Sequence, residues 1–306
     1  MKGTFSKVKN SYLWYSFKND KWAIISFIVF LLLVLIAAFA PFISPYDPYN
    51  PENIFILNAE TPPVWLEGGS AEFILGTDAQ GRDLLSTMIY GLRISILIGV
   101  GAVLLQAVLG IVIGLISGYI GGKTDAFFMR LADVQLSFSY LMVAIFLSAI
   151  FKAVFGVGTF SEVAIVFLII VIGLAQWPQY ARTVRASVLA EKEKEYVQAA
   201  RVTGFKSRKI MFREILPNCL SPIFVLSTIQ IANAVMSEAA LSFLGLGMPI
   251  TRPSLGSLIN SGFEYIFSGS WWITTFPGLT LVILVLSVNI LGDWLRDTLN
   301  PKLYKG

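Results

Sequence analysis

The chain has 306 residues, of which 56% are hydrophobic and 14% are charged, and its mean hydropathy is +0.72. Soluble domains average about 25% charged residues, so this composition indicates an integral membrane protein. The formal net charge of +4 is too small to predict a nucleic-acid-binding protein. With no histidine and a single cysteine, Cys219, the sequence excludes an internal disulfide, a cysteine-built metal site and the commonest general base at neutral pH.

The first two segments, 1–21 and 22–42, are a lysine-rich start and an apolar run. The run is long enough to cross a bilayer, which takes about 20 residues. Ala38-Phe39-Ala40 resembles a signal-peptidase site, but the run exceeds the roughly 7–15 residues of a signal-peptide core. We therefore predict an uncleaved first transmembrane helix that follows a cytoplasmic N-terminal segment.

The next segment, 43–90, is polar and acidic, with Arg82 as its one basic residue. Basic residues favour the cytoplasmic side of a membrane, so we predict that this segment lies outside.

A transmembrane core is predicted over 91–296, and its basic clusters all fall on the side that carries the N-terminus. Both termini, including the tail 297–306, are therefore expected in the cytoplasm. The predicted spans are 94–119, 134–155, 162–180, 217–240 and 272–295, joined by a tight outer turn at 156–161, a cytoplasmic loop at 181–217 and an outer segment at 241–271.

Glycines recur every four residues late in the second span, at Gly110, Gly114, Gly118 and Gly122. This spacing predicts one face on which a neighbouring helix packs closely, with a substrate groove as the alternative.

Charged residues avoid the span centres and lie at predicted span ends, which disfavours a proton-driven transporter but leaves backbone-built sodium sites open. The residues at span ends are Arg93, Asp133, Lys152, Glu162, Glu238 and Asp293. Uncharged polar residues do occur within spans. Interhelical hydrogen bonding is their commoner use, and lining of a pathway is the alternative considered for Gln176, Gln230 and Asn233.

The most cationic stretch is Glu195–Pro217, EYVQAARVTGFKSRKIMFREILP, which we call the basic loop. It predicts two short helices broken at Thr203-Gly204, because Gly204 can adopt the left-handed conformation that ends a helix. An apolar face is expected from Tyr196, Ala199, Ala200 and Val202 in the first helix and from Phe205, Ile210, Phe212 and Ile215 after the break. Such a compact polar projection from a membrane protein predicts a docking surface for a water-soluble partner.

The sequence lacks complete motifs for nucleotide binding and for nucleophilic catalysis. Gly121-Gly122-Lys123-Thr124 resembles the end of a phosphate-binding loop, but Ser117 stands where that motif requires glycine. The sequence contains no G-x-S-x-G nucleophile elbow. We expect no catalytic, metal or cofactor site on the chain and interpret Cys219 as a packing residue.

Residues of the basic loop resemble the "EAA" loop of bacterial ABC importer permeases through Gln198-Ala199-Ala200, Gly204 and Leu216-Pro217. Motifs within 75–95, 238–247 and 292–301 look like those of dipeptide and oligopeptide permeases, closest to the second of their two paired subunits. The resemblance covers about 10–302. Gln198 replaces the usual glutamate, so a charged contact is lost or is supplied by Glu195, and Glu214 occupies a usually apolar position.

This resemblance implies an all-α integral membrane protein of about six transmembrane helices with a cytoplasmic coupling-helix loop, the type I ABC importer permease fold. It implies a bacterial cytoplasmic (inner) membrane protein that pairs with a second permease, docks on two ATPase subunits that bind ATP and Mg²⁺, and receives cargo from a substrate-binding protein. The residues implied to couple to the ATPase are Glu195, Gln198, Ala199, Ala200, Arg201, Gly204, Phe205, Ile215, Leu216 and Pro217.

The cargo implied by the resemblance is a di- or oligopeptide. A nickel chelate or another small solute carried by the same machinery is an alternative, as is an ion-coupled secondary transporter. The cations Arg201, Lys206, Arg208 and Arg213 are expected either to pair with acidic groups of the ATPase or to contact lipid headgroups.

Overall fold

A computed structural model describes residues 12–299, which fold into a bundle of α-helices. The remaining parts of the two predicted cytoplasmic ends, 1–11 and 300–306, lie outside the described residues. The helices are α1 Tyr12–Asn19, α2 Lys21–Ala38, α3 Leu84–Ile120, α4 Gly122–Leu136, α5 Tyr140–Glu191, α6 Glu195–Val202, α7 Leu220–Phe243, α8 Leu255–Phe263 and α9 Trp272–Leu299. Short helical turns lie at Ala40–Ile43, Pro51–Asn53, Ile56–Asn58, Ser207–Lys209, Ile210–Ile215 and Leu216–Cys219.

Within 12–299, five helical segments are long and apolar enough to cross a membrane. They are α2, α3, the Phe160–Glu191 limb of α5, Ser207–Phe243 and α9. A sixth span results if α4 and the Tyr140–Val154 limb of α5, which meet at a bend of 87°, are counted together. The prediction of about six transmembrane helices is thus confirmed, although several limits differ from those expected.

Helix α3 begins ten residues before the predicted start because Asp83 caps it, accepting a 2.8 Å hydrogen bond from the Ser86 amide. It ends at Ile120 because Gly121 turns the chain away with a φ of 70°. Gly122, with a φ of 58°, therefore does not share the predicted glycine face.

Two predicted connections were wrong. The third span does not start at 134, because α4 already runs from Gly122 to Leu136. The turn expected at 156–161 is helical apart from Gly156, whose φ of 80° and ψ of 160° kink α5. A third predicted connection, the outer segment 241–271, is present and also contains α8, which is held in place by the burial of Leu255 and Leu258.

The glycine column of α3 brings it against α5. A Cβ on Gly110 would lie 2.2 Å from Tyr180 Cβ, and one on Gly114 would lie 2.6 Å from the Ala181 carbonyl oxygen. Gly118 approaches Val188 in the same way. Only glycine allows this approach, so the predicted close packing is confirmed at these three positions.

The bundle has two distinct ends. The basic end carries Ile120 and the basic loop, as shown by the 3.3 Å hydrogen bond from Lys192 Nζ to the Gly118 carbonyl. The far end carries the segments 44–83 and 244–271. Side chains join these two segments: Arg82 Nη1 donates to the Ile250 carbonyl at 3.0 Å and Ser270 Oγ donates to Glu60 Oε2 at 2.7 Å.

Candidate coupling site and transport core

The basic loop is anchored in the helical core. Val197 and Ala200 are buried and belong to the same hydrophobic cluster as Ile210, Ile215 and Cys219. A cluster that also includes residues of α3, α5 and α7 therefore extends into the root of the loop. Helix α6 is consequently a fixed projection of the bundle rather than a flexible connection.

The buried face of α6 differs from the one predicted. Val197, one residue along from Tyr196, points into the core, whereas Tyr196 and Ala199 are exposed and Val202 is 89% exposed. In the second half, Ile210 and Ile215 are buried as expected, but Phe205 and Phe212 are exposed. The apolar side chains left outside create hydrophobic contact area among the cations.

Gly204 ends α6 as predicted. Its φ is 78°, and the Phe205 amide donates back to the Ala200 carbonyl at 3.1 Å, the wrapped hydrogen bond of a glycine-terminated helix. The Thr203 hydroxyl adds a 3.0 Å bond to the Ala199 carbonyl. A Cβ at Gly204 would meet no atom within 4 Å, so the backbone conformation, and not crowding, requires glycine here.

Tyr196 connects α6 to the helices on either side. Its hydroxyl donates to Glu191 Oε2 at 2.6 Å and accepts from Asn218 Nδ2 at 3.1 Å. Burial, reinforced by the hydrogen bond to the Glu191 carboxylate, raises the pKa of Tyr196 to about 12. The phenol therefore remains protonated and keeps donating throughout the physiological pH range.

The predicted coupling residues divide into an exposed face and a buried root. Two of the cations pack on aromatic rings: the Arg201 guanidinium lies 5.4 Å from the Tyr119 ring centroid and Lys209 Nζ 3.5 Å from that of Phe205. The exposed residues are Glu195, Gln198, Ala199, Arg201, Gly204, Phe205 and Pro217, whereas Ala200 and Ile215 are buried and Leu216 is partly buried. Their part in coupling remains a prediction.

The residues considered for pathway lining form a hydrogen-bonded network between α3, α5 and α7. Gln230 Nε2 donates to Gln176 Oε1 at 3.0 Å and lies 3.4 Å from Gln106 Oε1. Asn233 Nδ2 donates to Gln230 Oε1 at 2.8 Å, and Gln176 Nε2 donates to Ser237 Oγ at 3.3 Å. Gln176 and Gln230 are buried and Asn233 is partly buried, so the network matches the interhelical alternative.

Two of the charged residues predicted at span ends, Glu238 and Asp133, lie near helix ends and make specific polar contacts. Glu238 is fully buried within α7 and accepts hydrogen bonds from Ser95 Oγ at 2.8 Å and Ser242 Oγ at 2.7 Å. Asp133 lies near the end of α4 and pairs with Arg182 of α5. In the sequence, the four-residue spacing of Glu238 and Ser242 places both on one helix face and could have predicted their hydrogen bond.

An ion pair also fixes the basic end of α4. Arg185 binds Asp125 through Nε at 2.5 Å and Nη2 at 2.6 Å, and Ser117 Oγ bonds the same carboxylate. The sequence pattern did not predict this ion pair, because the two residues are 60 positions apart in the chain.

Comparisons with known proteins agree with this architecture. Residues 110–305 match the family described as binding-protein-dependent transport system inner membrane component, and residues 11–63 match the N-terminal TM domain of oligopeptide transport permease C. The di/tripeptide transport system permease protein DppC of Pseudomonas aeruginosa is 41% identical over 243 residues, 79% of this chain and 77% of the relative. The dipeptide transport system permease protein DppC of Haemophilus influenzae is 40% identical over 242 residues, 79% and 78% respectively.

A solved chain has the same fold at low sequence identity. A chain of the MetNI methionine ABC transporter in an inward-facing conformation gives a TM-score of 0.54 at 21% identity, covering 70% of this chain and 97% of that one. The family match extends over well over half of the sequence and includes the basic loop and the glycines of α3 that pack against α5. The chain therefore belongs to the family of binding-protein-dependent transport system inner membrane components.

Proposed function

We propose that the chain is the second of two paired permease subunits in an ATP-driven importer of di- and oligopeptides in the bacterial cytoplasmic membrane. The peptide cargo is supported by relatives about 40% identical that are named as dipeptide or di/tripeptide permeases. The match of residues 11–63 to a permease C domain supports the second position in the pair.

In this proposal the basic loop lies in the cytoplasm and docks in a groove of an ATPase subunit, with the paired permease docking on a second one. The observation that carries it is the shared hydrophobic cluster of the loop and the bundle, which includes Val197, Ile210 and Ile215. A rigidly rooted helix transmits closure of the ATPases as a rigid-body movement of the spans, whereas a flexible loop would absorb that movement.

The cations around α6 provide complementary charge for acidic groups on the ATPase. Arg208, Lys206 and Arg213 are exposed, as are the apolar side chains of Phe205 and Phe212 in the same loop. An apolar centre with a charged rim is the usual composition of a protein–protein interface. ATP and Mg²⁺ are held by the ATPase subunits, and this chain has no hydrolytic role of its own.

The far end faces the substrate-binding protein in the same proposal. Its two segments, 44–83 and 244–271, are joined by the Arg82–Ile250 and Ser270–Glu60 hydrogen bonds, so a docking protein meets one continuous surface. Both termini then lie in the cytoplasm.

The docking role is tested by replacing Gly204 in the complete reconstituted complex. Gly204→Val forces a β-branched residue into the left-handed conformation, whereas Gly204→Asn is the matched control because asparagine tolerates that conformation. We expect Gly204→Val to insert normally but to lose peptide-stimulated ATP hydrolysis and peptide uptake, and Gly204→Asn to retain most of both. Full uptake by Gly204→Val, or uptake by this chain in vesicles without an ATPase, would contradict the proposal.

A further inference from the structure

The connection between α4 and α5 is a break in a membrane-spanning segment. Helix α4 ends at Leu136, the first limb of α5 starts at Tyr140, and the two meet at 87°. Ser139 precedes α5 without capping it through its side chain, so the first amides of this limb are not satisfied by a cap.

A proline on the neighbouring limb fixes the position of this break. Pro178 has no amide hydrogen, so the Leu174 carbonyl lacks its usual donor four residues on. Gln135 Nε2 donates to that carbonyl instead. Gln135 Oε1 accepts in turn from Trp177 Nε1 at 2.9 Å. The side-chain amide of Gln135 therefore holds the end of α4 against α5 next to Pro178, through its nitrogen and its oxygen.

The break lies at membrane depth. Gln106 of α3 bonds the Ile172 carbonyl at 3.4 Å, next to the Leu174 carbonyl that holds Gln135, so the two amides lie at similar heights. Gln106 is 14 residues (120 − 106) from the end of α3 at Ile120, or about 21 Å along a helix that rises about 1.5 Å per residue. The hydrocarbon core of a bilayer is only about 30 Å thick.

The exposed surface around the break mixes polar side chains with the apolar side chains of Leu136, Phe138 and Tyr140. Ser137 and Ser139 are both exposed, and Gln179 is exposed on the adjoining limb. Closer to the basic end, the Asp133–Arg182 ion pair remains about half exposed, with 53% and 50% of the two side chains accessible. By contrast, the exposed residues along α2 and α3 at comparable depth are apolar: Ile28, Leu31, Leu32, Leu97, Leu104 and Val108.

Hydrocarbon cannot satisfy the polar and backbone groups of such a mixed surface. Irregular backbone at membrane depth is tolerated only where protein buries it or where it lines a water-filled cavity, because lipid offers no hydrogen-bonding partner. A half-exposed ion pair is likewise costly against acyl chains. The mixture of hydroxyl, amide and backbone groups provides donors and acceptors for the amides of a peptide.

We propose that the polar surface formed by Ser137, Ser139, Gln179 and the Asp133–Arg182 pair lines the water-filled peptide pathway. The inference rests on the proposed permease function and names the part of the chain that the solute passes. The glutamine network around Gln230 lies behind this surface and holds the helices together.

Cysteine accessibility in the complete complex tests the assignment. Cys219 is the chain's one cysteine, so Cys219→Ala provides the background for Ser137→Cys and Ser139→Cys. Leu32→Cys is the lipid-facing control, since Leu32 lies on α2 and is 52% exposed. The probe is a charged methanethiosulfonate on membrane vesicles, and rates are measured with and without vanadate-trapped nucleotide.

The thiolate is the reactive form and requires water, so we expect both serine replacements to react at least about tenfold faster than Leu32→Cys in one of the two states. A dipeptide at saturating concentration should slow the reaction, and completed modification should block uptake. Rates equal to that of Leu32→Cys in both states, or cross-linking of both positions to the paired permease with no reaction, would overturn the assignment. Peptide-stimulated ATP hydrolysis by the unmodified Cys219→Ala complex is measured in parallel. If it is present, a negative labelling result counts against the pathway assignment; if it is absent, the proposed function itself fails.

Discussion

Ser95 donates a 2.8 Å hydrogen bond to the fully buried Glu238, joining α3 to α7 across 143 residues. The Ser95 oxygen also accepts from the Leu255 amide at 3.3 Å, which brings the start of α8 to the same point. One carboxylate without a cationic partner among the described residues thus organises three helices near the far end. Its stabilisation comes from serine hydroxyls, since burial of an acid without hydrogen bonds is costly.

The first prediction concerns this carboxylate. We expect Glu238→Ala to lower the free energy of unfolding by about 1–3 kcal/mol, because the hydroxyls of Ser95 and Ser242 lose their buried partner. Glu238→Gln should lower the free energy of unfolding less, since the glutamine amide can still accept and donate hydrogen bonds. Thermal unfolding in detergent compares the two variants. Equal losses of stability would show that hydrogen bonding to the residue at position 238 does not stabilise the protein.

The second prediction concerns the glycine column. Gly114→Ala should destabilise the protein by about 1–3 kcal/mol, because the new Cβ lies 2.6 Å from the Ala181 carbonyl oxygen and the helices must separate. Gly101→Ala is the matched control on the same helix. Its Cβ would meet only side-chain atoms of Ile169, the nearest at 2.7 Å, which can rotate away. The measurement is again thermal unfolding, and a similar loss in both variants would contradict the packing argument.

The third prediction concerns the buried ion pair of the far end. Arg82 Nη2 lies 2.6 Å from Asp78 Oδ2, and both side chains are almost fully buried. We expect Arg82→Met to cost about 3–5 kcal/mol, because it leaves an uncompensated buried carboxylate. The double variant Asp78→Asn with Arg82→Met should recover part of that loss. If chemical denaturation finds no recovery, the hydrogen bond from Arg82 to Ile250 is the dominant contribution.

The fourth prediction concerns the connection between α6 and its neighbours. Tyr196→Phe removes the bonds to Glu191 and Asn218 but keeps the ring, so we expect normal insertion with a several-fold loss of peptide-stimulated ATP hydrolysis. Because the Tyr196 pKa is raised to about 12, the stability that the phenol contributes is complete below its unfolded value near 10 and is lost only as pH approaches 12. The ratio of variant to parent activity should therefore be the same at pH 6 and pH 9. A ratio that changed between these values would assign the pH dependence to another group.

The sequence was most informative where the structure requires one particular residue type, as it does for glycine. Gly204 was identified as the end of α6 because few other residues adopt a φ near 78°, and the four-residue spacing of Gly110, Gly114 and Gly118 correctly predicted close helix packing. The apolar runs gave about the right number of spans, because a bilayer demands length and hydropathy and little else.

The errors arose where hydropathy carries no signal. The break at Ser137–Ser139 divides an apolar stretch, so hydropathy does not reveal it. It is fixed by the hydrogen bond from Gln135 to the Leu174 carbonyl of α5, which Pro178 leaves without its usual backbone donor. The buried face of α6 was shifted by one residue because Tyr196 and Val197 are both apolar, and only the core beneath them selects Val197. Long-range pairs such as Asp125–Arg185 leave no local periodicity at all.

The glycine contacts between α3 and α5 also have a mechanical consequence. With backbones this close, the two helices cannot slide past one another without collision, so they behave as one stiff lever about 55 Å long, given 37 residues of α3 at about 1.5 Å each. A tilt of this unit at the basic end of the bundle therefore requires a displacement at the far end.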